Sequence, residues 1–356
     1  MRVLQLIDSL TAGGAERMAV SYANELVEHV EASHLCTTRK EGLLKATLNK
    51  DANYLFLNKK RTIDPAALRR LLQYVSRNKI DIIHAHSSSF FYASLVKVFN
   101  RNVKVIWHDH YGENEMLDAR KYGVLKKASK YFDAVISVNE NLRNWAETHL
   151  KCDKVNYLKN FVSKSINIEP AIELKGENTF RIVCLANIRE QKDHLNLLSA
   201  FKIIKERGTN ISLHLLGEIH HDAYYKSLVV FISENNIEDV YFYDSQIGIL
   251  NLLRKCDLGV LSSASEGLPV ALLEYGLANL PVVCTDVGQC KEVLHNFGKL
   301  VPGKDSQLLS EAILDYFDNA ASRKEDAANF SAYIEKEYAF NSILPKIMSI
   351  YNTGKY

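Results

Sequence analysis

Short apolar runs alternate with longer stretches of helical period along the whole chain, the pattern of a parallel sheet covered by helices on both faces. In the first half the strand candidates are RVLQLID, ASHLCTT, ANYLFLN, DIIHAHS, KVIWHDH, AVISVN and VNYLKN. Between them the longest helical stretches are Glu16 to Val30, Asp64 to Asn78, Arg120 to Tyr131 and Glu140 to Leu150. Ser163 to Asn178 breaks the rhythm with polar residues, Pro170 and Gly176, which marks a linker. The alternation then restarts with FRIVCLAN, ISLHLLG, VYFYDS, LGVLSS, PVVCT and GKLVP. After about Ser306 the chain reads as helical to its end, closing on the amphipathic stretch Asn341 to Tyr351. The expectation is two α/β doubly wound domains, 1–165 and 178–338.

Size agrees, because 356 residues exceed what one core usually holds, and 47% hydrophobic residues suffice for two cores. No apolar run is long enough to span a membrane, and the start MRVLQLIDSLTAGG is too polar for a signal peptide. A cytoplasmic protein is expected. The six cysteines are scattered without a C-x-x-C, which argues for packed thiols rather than a zinc knuckle or a disulfide frame.

The net charge of +2 hides an asymmetry: residues 1–165 carry 26 Lys and Arg against 17 Asp and Glu, or +9, and the rest carry −7. A basic half suits an anionic membrane surface, as a peripheral contact, or a phosphate-bearing substrate; scattered lysines on a solvated face are the plainer reading.

Candidate chemistry falls just after the strands, where ligands of open α/β sheets bind. EGLPVALLE puts carboxylates at both ends of an apolar strand-turn-helix: Glu266 ahead of Gly267, Leu268 and Pro269, and Glu274 inside the helix. A helix N-terminus there favours an anion. The alternative is that Glu266 only caps the helix and Glu274 lies on its solvated face. TAGGAER places Gly13, Gly14 and Glu16 after the first strand, without meeting a dinucleotide fingerprint. Arg189 and Lys192 open a helix, where cations call for an anionic neighbour. Gly217 and Glu218, Gln246, and Asp286 with Gly288 follow later strands. His84 and His86, then His108, Asp109 and His110, end two strands, with each pair of histidines on one strand face. No carboxylate-rich cluster at matching positions supports a metal there.

In this order GGAER, K-x-H-x-x-L-L-x-A-F, EGLPVALLE and CTDVGQCKEV resemble the family 4 retaining glycosyltransferases of the GT-B fold, over nearly the whole chain. The resemblance implies two Rossmann-like domains facing a cleft, the first on the acceptor side and the second holding a nucleotide-diphosphate sugar, UDP-sugar favoured. It implies a retaining hexosyl- or N-acetylhexosaminyltransferase that needs no metal and no nucleic acid, with a glycan or lipid-linked glycan as acceptor. A C-terminal helix from about residue 339 that packs back on the first domain is also implied. By matching position, Lys192 pairs with the donor diphosphate, Glu266 with the sugar hydroxyls and Glu274 with the ribose. Gly13 and Gly14 approach phosphate and sugar, His108 stands near the sugar, and Asn160 matches the asparagine ahead of the linker. The chain departs from the pattern at Ala186-Asn187, where Gly-Arg is usual, and at Asp193, where Gly often stands. Arg189 would then be the second diphosphate cation, and Gly217, Gln246, Gly267 and Leu268 complete the expected donor contacts. Two other classes stay open: a metal-dependent hydrolase using the HAH and HDH histidines, and a nucleotide-sugar-binding protein without turnover.

Overall fold

The computed structural model describes residues 1–11, 13–111, 114–163, 172–176 and 179–353, so most of the linker read at 163–178 lies outside the described residues. The chain divides into two units, Met1–Ile166 with Phe340–Tyr356, and Asn167–Ala339.

The first unit holds strands β1 (Arg2–Ser9), β2 (Ala32–Lys40), β3 (Asn53–Phe56), β4 (Ile82–His86), β5 (Lys104–Asp109), β6 (Ala134–Ser137) and β7 (Val155–Tyr157). They form one sheet in the order β3-β2-β1-β4-β5-β6-β7, with every described pairing parallel. Its helices are α1 (Gly14–Glu25), α2 (Pro65–Arg77), α3 (Phe90–Phe99), α4 (Gly123–Ala128) and α5 (Glu140–His149). The second unit holds β8 (Phe180–Leu185), β9 (Ile211–Leu216), β10 (Val240–Tyr243), β11 (Leu258–Leu261), β12 (Val282–Thr285) and β13 (Lys299–Val301), parallel in the order β10-β9-β8-β11-β12-β13. Its helices are α6 (His194–Glu206), α7 (Ala223–Glu234), α8 (Ile249–Leu253), α9 (Val270–Leu277), α10 (Cys290–Leu294), α11 (Ser306–Asp318) and α12 (Ala320–Glu337). The last helix, α13 (Phe340–Asn352), belongs to the first unit.

Central strands are buried on both faces because both sheet faces are covered; all six residues of β9 and all five of β4 are buried, polar Ser212, His214, His84 and His86 included. The second core gathers Ile182, Leu213, Leu215, Leu258, Val260 and Val283 from neighbouring strands. Helix starts follow side-chain caps. Asp64 accepts from Ala67 N at 3.0 Å ahead of Pro65 in α2, and Asn139 accepts from Leu142 N at 2.8 Å at the start of α5.

Two helical expectations shift, and one helix had not been expected. α1 begins at Gly14 and ends at Glu25, with a 3-10 turn over Leu26–Glu28. The helix expected over Arg120–Tyr131 shortens to α4 plus a 3-10 turn, because Arg120 leaves the helix to pair with buried Asp109, at 2.7 and 2.8 Å. α3 had no signal of its own, since FFYASLVKVF is apolar on nearly every side.

Each sheet reverses its winding once, between β1 and β4 and between β8 and β11. At the second reversal the strands pair only through Leu258 with Ile182 and Gly259 with Val183. Tyr275 of α9 fills the widening gap. Its hydroxyl accepts Leu185 N–H at 2.7 Å and donates to the Val260 carbonyl at 3.1 Å. Its ring lies on Gly259, where a Cβ would stand 2.8 Å from it. Tyr275→Phe should cost about 1–3 kcal/mol, since a buried N–H loses its acceptor; equal denaturant midpoints for variant and wild type would contradict this wedge.

Candidate active site

Two loops at the second reversal carry the candidate donor residues. After β8 the chain passes Ala186 and Asn187, whose side-chain oxygen accepts Glu218 N at 3.0 Å, while Ile188 N donates to Glu218 O at 3.0 Å. Gly217 sits at φ +159°, and a Cβ on it would come within 2.2 Å of Ala186 O. The dipeptide standing where a Gly-Arg was expected therefore ties the β8 and β9 loops together. Arg189 is exposed in extended backbone, ahead of a 3-10 turn at Glu190–Lys192. Asp193 follows in the left-handed region at φ +47° and caps α6 by accepting from Asn196 N.

The loop after β11 is stapled to that turn. Ala264 N donates to Gln191 O at 2.9 Å, Gln191 Nε2 to Ser265 O at 3.0 Å, and Ser262 Oγ to Lys192 O at 3.1 Å. These contacts bring Lys192 Nζ to 2.6 Å from Glu266 Oε1, which also accepts from Ser263 Oγ at 2.6 Å. Glu266 is 5% exposed, and the Lys192 side chain 21%. Burying a carboxylate is costly unless a cation and hydrogen bonds compensate it, and both are present. Behind it, Thr285 Oγ1 donates to Ser263 O at 2.7 Å and Gln289 N to Gly267 O at 3.1 Å. Gly288, at φ +52°, lies so close that a Cβ would stand 1.9 Å from Glu266 O.

Pro269 is the N-cap residue of α9, one place before the first helical turn expected for it. The Glu266 carboxylate turns to Lys192 and Ser263 three residues earlier. Leu268 is buried, and Glu274 is half-buried in α9 between buried Leu273 and Tyr275. Gln246, after β10, donates to Asp244 O at 3.0 Å.

In the first unit, extended Gly13 leads into Gly14, the first residue of α1. The histidines of β4 and β5 share a sheet face, since His86 pairs with His108 and His84 with Ile106 in parallel register. Their rings lie against one another, with centroids 4.5 Å apart for His84 and His86, 5.2 Å for His84 and His108, and 4.0 Å for His108 and His110. His84 Nε2 and His108 Nδ1 are 3.1 Å apart, and His86 Nδ1 and His110 Nε2 2.9 Å. His108 is wholly buried, and its Nε2 has no hydrogen-bond partner among the described residues. His110, at the strand end, is half-buried. Thus the ring at the accessible end of β5 is His110 rather than His108. Burial depresses all four rings, with neighbouring imidazoles adding to it for His84, His86 and His108: His84 and His110 to about 3, His86 and His108 well below 6.5. His84, His86 and His108 each offer a ring nitrogen within 4.8 Å of the others, a spacing within reach of a metal ion. Asn160 is buried in the same unit, with Oδ1 unpartnered among the described residues.

Sequence reasoning missed Ser263, Tyr275, Gln5 and Asp8. Gln5 had a signal, as a polar residue inside the run RVLQLID. Asp8, at the end of β1, is hydrogen-bonded by Thr38 and by Ser88 at 2.7 Å. Burial raises its carboxyl, but these bonds and the charges of Lys59 and Arg39 outweigh that and lower it.

The chain is similar to known proteins over nearly its full length. A model of "Glycosyltransferase Family 4" matches residues 12–165, and one of "Glycosyl transferases group 1" matches 165–337. The capsular polysaccharide biosynthesis glycosyltransferase CapH of Staphylococcus aureus is 23% identical, over 88% of this chain and 87% of its own length. An uncharacterized glycosyltransferase of Methanocaldococcus jannaschii is 26% identical over 54% of this chain, which spans only 50% of that relative. The crystal structure of Anabaena HepE with UDP and glucose superposes with a TM-score of 0.79 at 16% identity, covering 98% of both chains. Parallel sheets that each reverse once, with a Lys–Glu pair at the second reversal, define a two-domain α/β protein of GT-B architecture. The chain belongs to the family 4 glycosyltransferases. Among the described residues no helix is long and apolar enough to cross a membrane.

The depressed histidines give a pH dependence. The unfolded chain takes up protons below about 6.5, whereas folded His84 and His110 refuse them until about 3. Stability is therefore complete above that upper value and falls with pH through the window between, by up to about 1.4 kcal/mol per unit for each ring. Thermal midpoints measured from pH 7.5 down to 5 should drop steadily; a flat profile would show that these rings titrate normally.

Proposed function

We propose that the chain transfers a sugar, with retention, from a nucleotide-diphosphate sugar to a hydroxyl of a glycan or lipid-linked glycan in surface polysaccharide synthesis. A UDP-sugar is the favoured donor, and hexosyl or N-acetylhexosaminyl the favoured group. The observation that carries this is the contact of Lys192 with Glu266 at the winding reversal of the second sheet, where open α/β sheets bind ligands. Membership of the family supports the reaction class. The HepE complex with UDP and glucose supports the donor, and the capsular role named for CapH supports the acceptor class.

In this reading the second unit holds the donor and the first the acceptor. Lys192, with exposed Arg189, neutralises the diphosphate; Glu266 accepts hydrogen bonds from the sugar hydroxyls, and Glu274 from the ribose. Gly267 and Leu268 lend backbone near the α9 N-terminus, Gly217 is a further donor contact, Glu218 and Gln246 border the base, and Gly13, Gly14 and His108 act from the first unit.

The C1–O bond to the β-phosphate breaks with its electron pair going to the diphosphate. Fixed cations and N–H groups stabilise that charge without reorganising. The acceptor oxygen bonds C1 on the face the diphosphate leaves, and its proton passes to the departing phosphate, so no enzyme nucleophile is needed. Without donor, Glu266 serves as the counter-ion of Lys192; with donor, each turns to its own part of the ligand.

With a UDP-sugar panel and a glycan acceptor, Lys192→Ala and Glu266→Ala should each lower kcat/KM by about 100-fold or more. The product should keep the donor's anomeric configuration by NMR. Full activity in both variants would remove the site assignment, and an inverted product would remove retention.

A further inference from the structure

The histidines of the first unit form one hydrogen-bonded chain with Gln5 at its centre. Gln5 of β1 pairs in register with His84 of β4, which puts its amide on the same sheet face as the rings. Helix α13 closes that face with Tyr351, and Lys104 Nζ holds the helix end by donating to the carbonyls of Tyr351 at 3.1 Å and Thr353 at 2.6 Å.

Because the four rings are held neutral, each carries one N–H and one bare nitrogen, so each hydrogen bond dictates the next. Gln5 Oε1 has no proton to give, so His86 donates to it from Nε2 at 2.8 Å. His86 Nδ1 is then bare and accepts Nε2–H of His110 at 2.9 Å, which leaves His110 Nδ1 as a lone pair. On the other branch, Gln5 Nε2 donates to the Tyr351 hydroxyl at 3.3 Å. That hydroxyl donates to His84 Nδ1 at 2.8 Å, and His84 Nε2 donates to His108 Nδ1 at 3.1 Å. His108 then carries its proton on Nε2. Turning over the Gln5 amide would reverse every one of these bonds and place a proton on His110 Nδ1. One buried amide therefore decides whether the accessible ring offers a lone pair or an N–H.

We propose that Gln5, held by Tyr351 of the terminal helix, is a positioning residue that sets the proton polarity of this network. It leaves His110 Nδ1, at the end of β5, as a bare hydrogen-bond acceptor.

The test is long-range proton–nitrogen NMR of the full chain with nitrogen-15 histidine, which separates protonated from bare ring nitrogens without any assay of transfer. The wild type should show all four rings protonated on Nε2. Tyr351→Phe should leave His86 and His110 so protonated while His84 and His108 lose a single tautomer. Gln5→Leu should release His86 and His110 from a single tautomer. Tyr351→Phe changes one oxygen only, so it carries the test should Gln5→Leu fail to fold. A wild-type proton on His110 Nδ1, tautomers unmoved by Gln5→Leu, or stoichiometric metal on the rings would overturn the proposal.

Discussion

A carboxylate buried in the loop after a strand needs a cation within reach, and Glu266 finds it in Lys192 at 2.6 Å. That requirement organises the second unit. The two residues come from loops after β8 and β11, which neighbour each other only because the sheet reverses its winding between them. The Gln191, Ser262 and Ala264 bonds lock the loops together, and Tyr275 holds α9 where the strands part. Gly288 lets the next loop close over the Glu266 backbone. A pair assembled this way places a cation and a carboxylate side by side, the two groups that the proposed donor, with its phosphates and hydroxyls, would call for.

The first unit meets the same difficulty with neutral groups. Four histidines on one covered sheet face would be costly as cations, and burial keeps them uncharged. They hydrogen-bond to one another through Gln5 and Tyr351, with His108 Nε2 alone among their buried ring nitrogens left without a partner among the described residues, so the terminal helix is built into the polar interior of the unit and not only into its apolar packing, where Phe340 meets Tyr22 and Phe161.

The strands were legible because both faces of each sheet are covered, so burial writes itself as short, mostly apolar runs. Helix α3 was not, since a segment apolar nearly all round has no period to read. Lys192 and Glu266 stood out as charges where burial alone would not put them, yet their contact joins residues 74 positions apart, which no local spacing encodes. Tyr351 and His84 are separated by 267 positions, and only the folded chain joins them. The difference between His108 and His110 was hidden for another reason: both lie on one strand face, and where a strand end meets solvent is a property of the whole sheet. Ala186-Asn187 read as a lost cation; in the structure Asn187 braces the Glu218 loop.

The central claim is that the buried pair splits between the two parts of a donor. Calorimetric titration of UDP and of a UDP-sugar into wild type, Lys192→Ala and Glu266→Ala tests it most directly. The account predicts that Lys192→Ala weakens both ligands, whereas Glu266→Ala weakens only the UDP-sugar and leaves UDP bound as tightly or more so, because Lys192 has lost its competing partner. Equal loss of UDP affinity in both variants would contradict it.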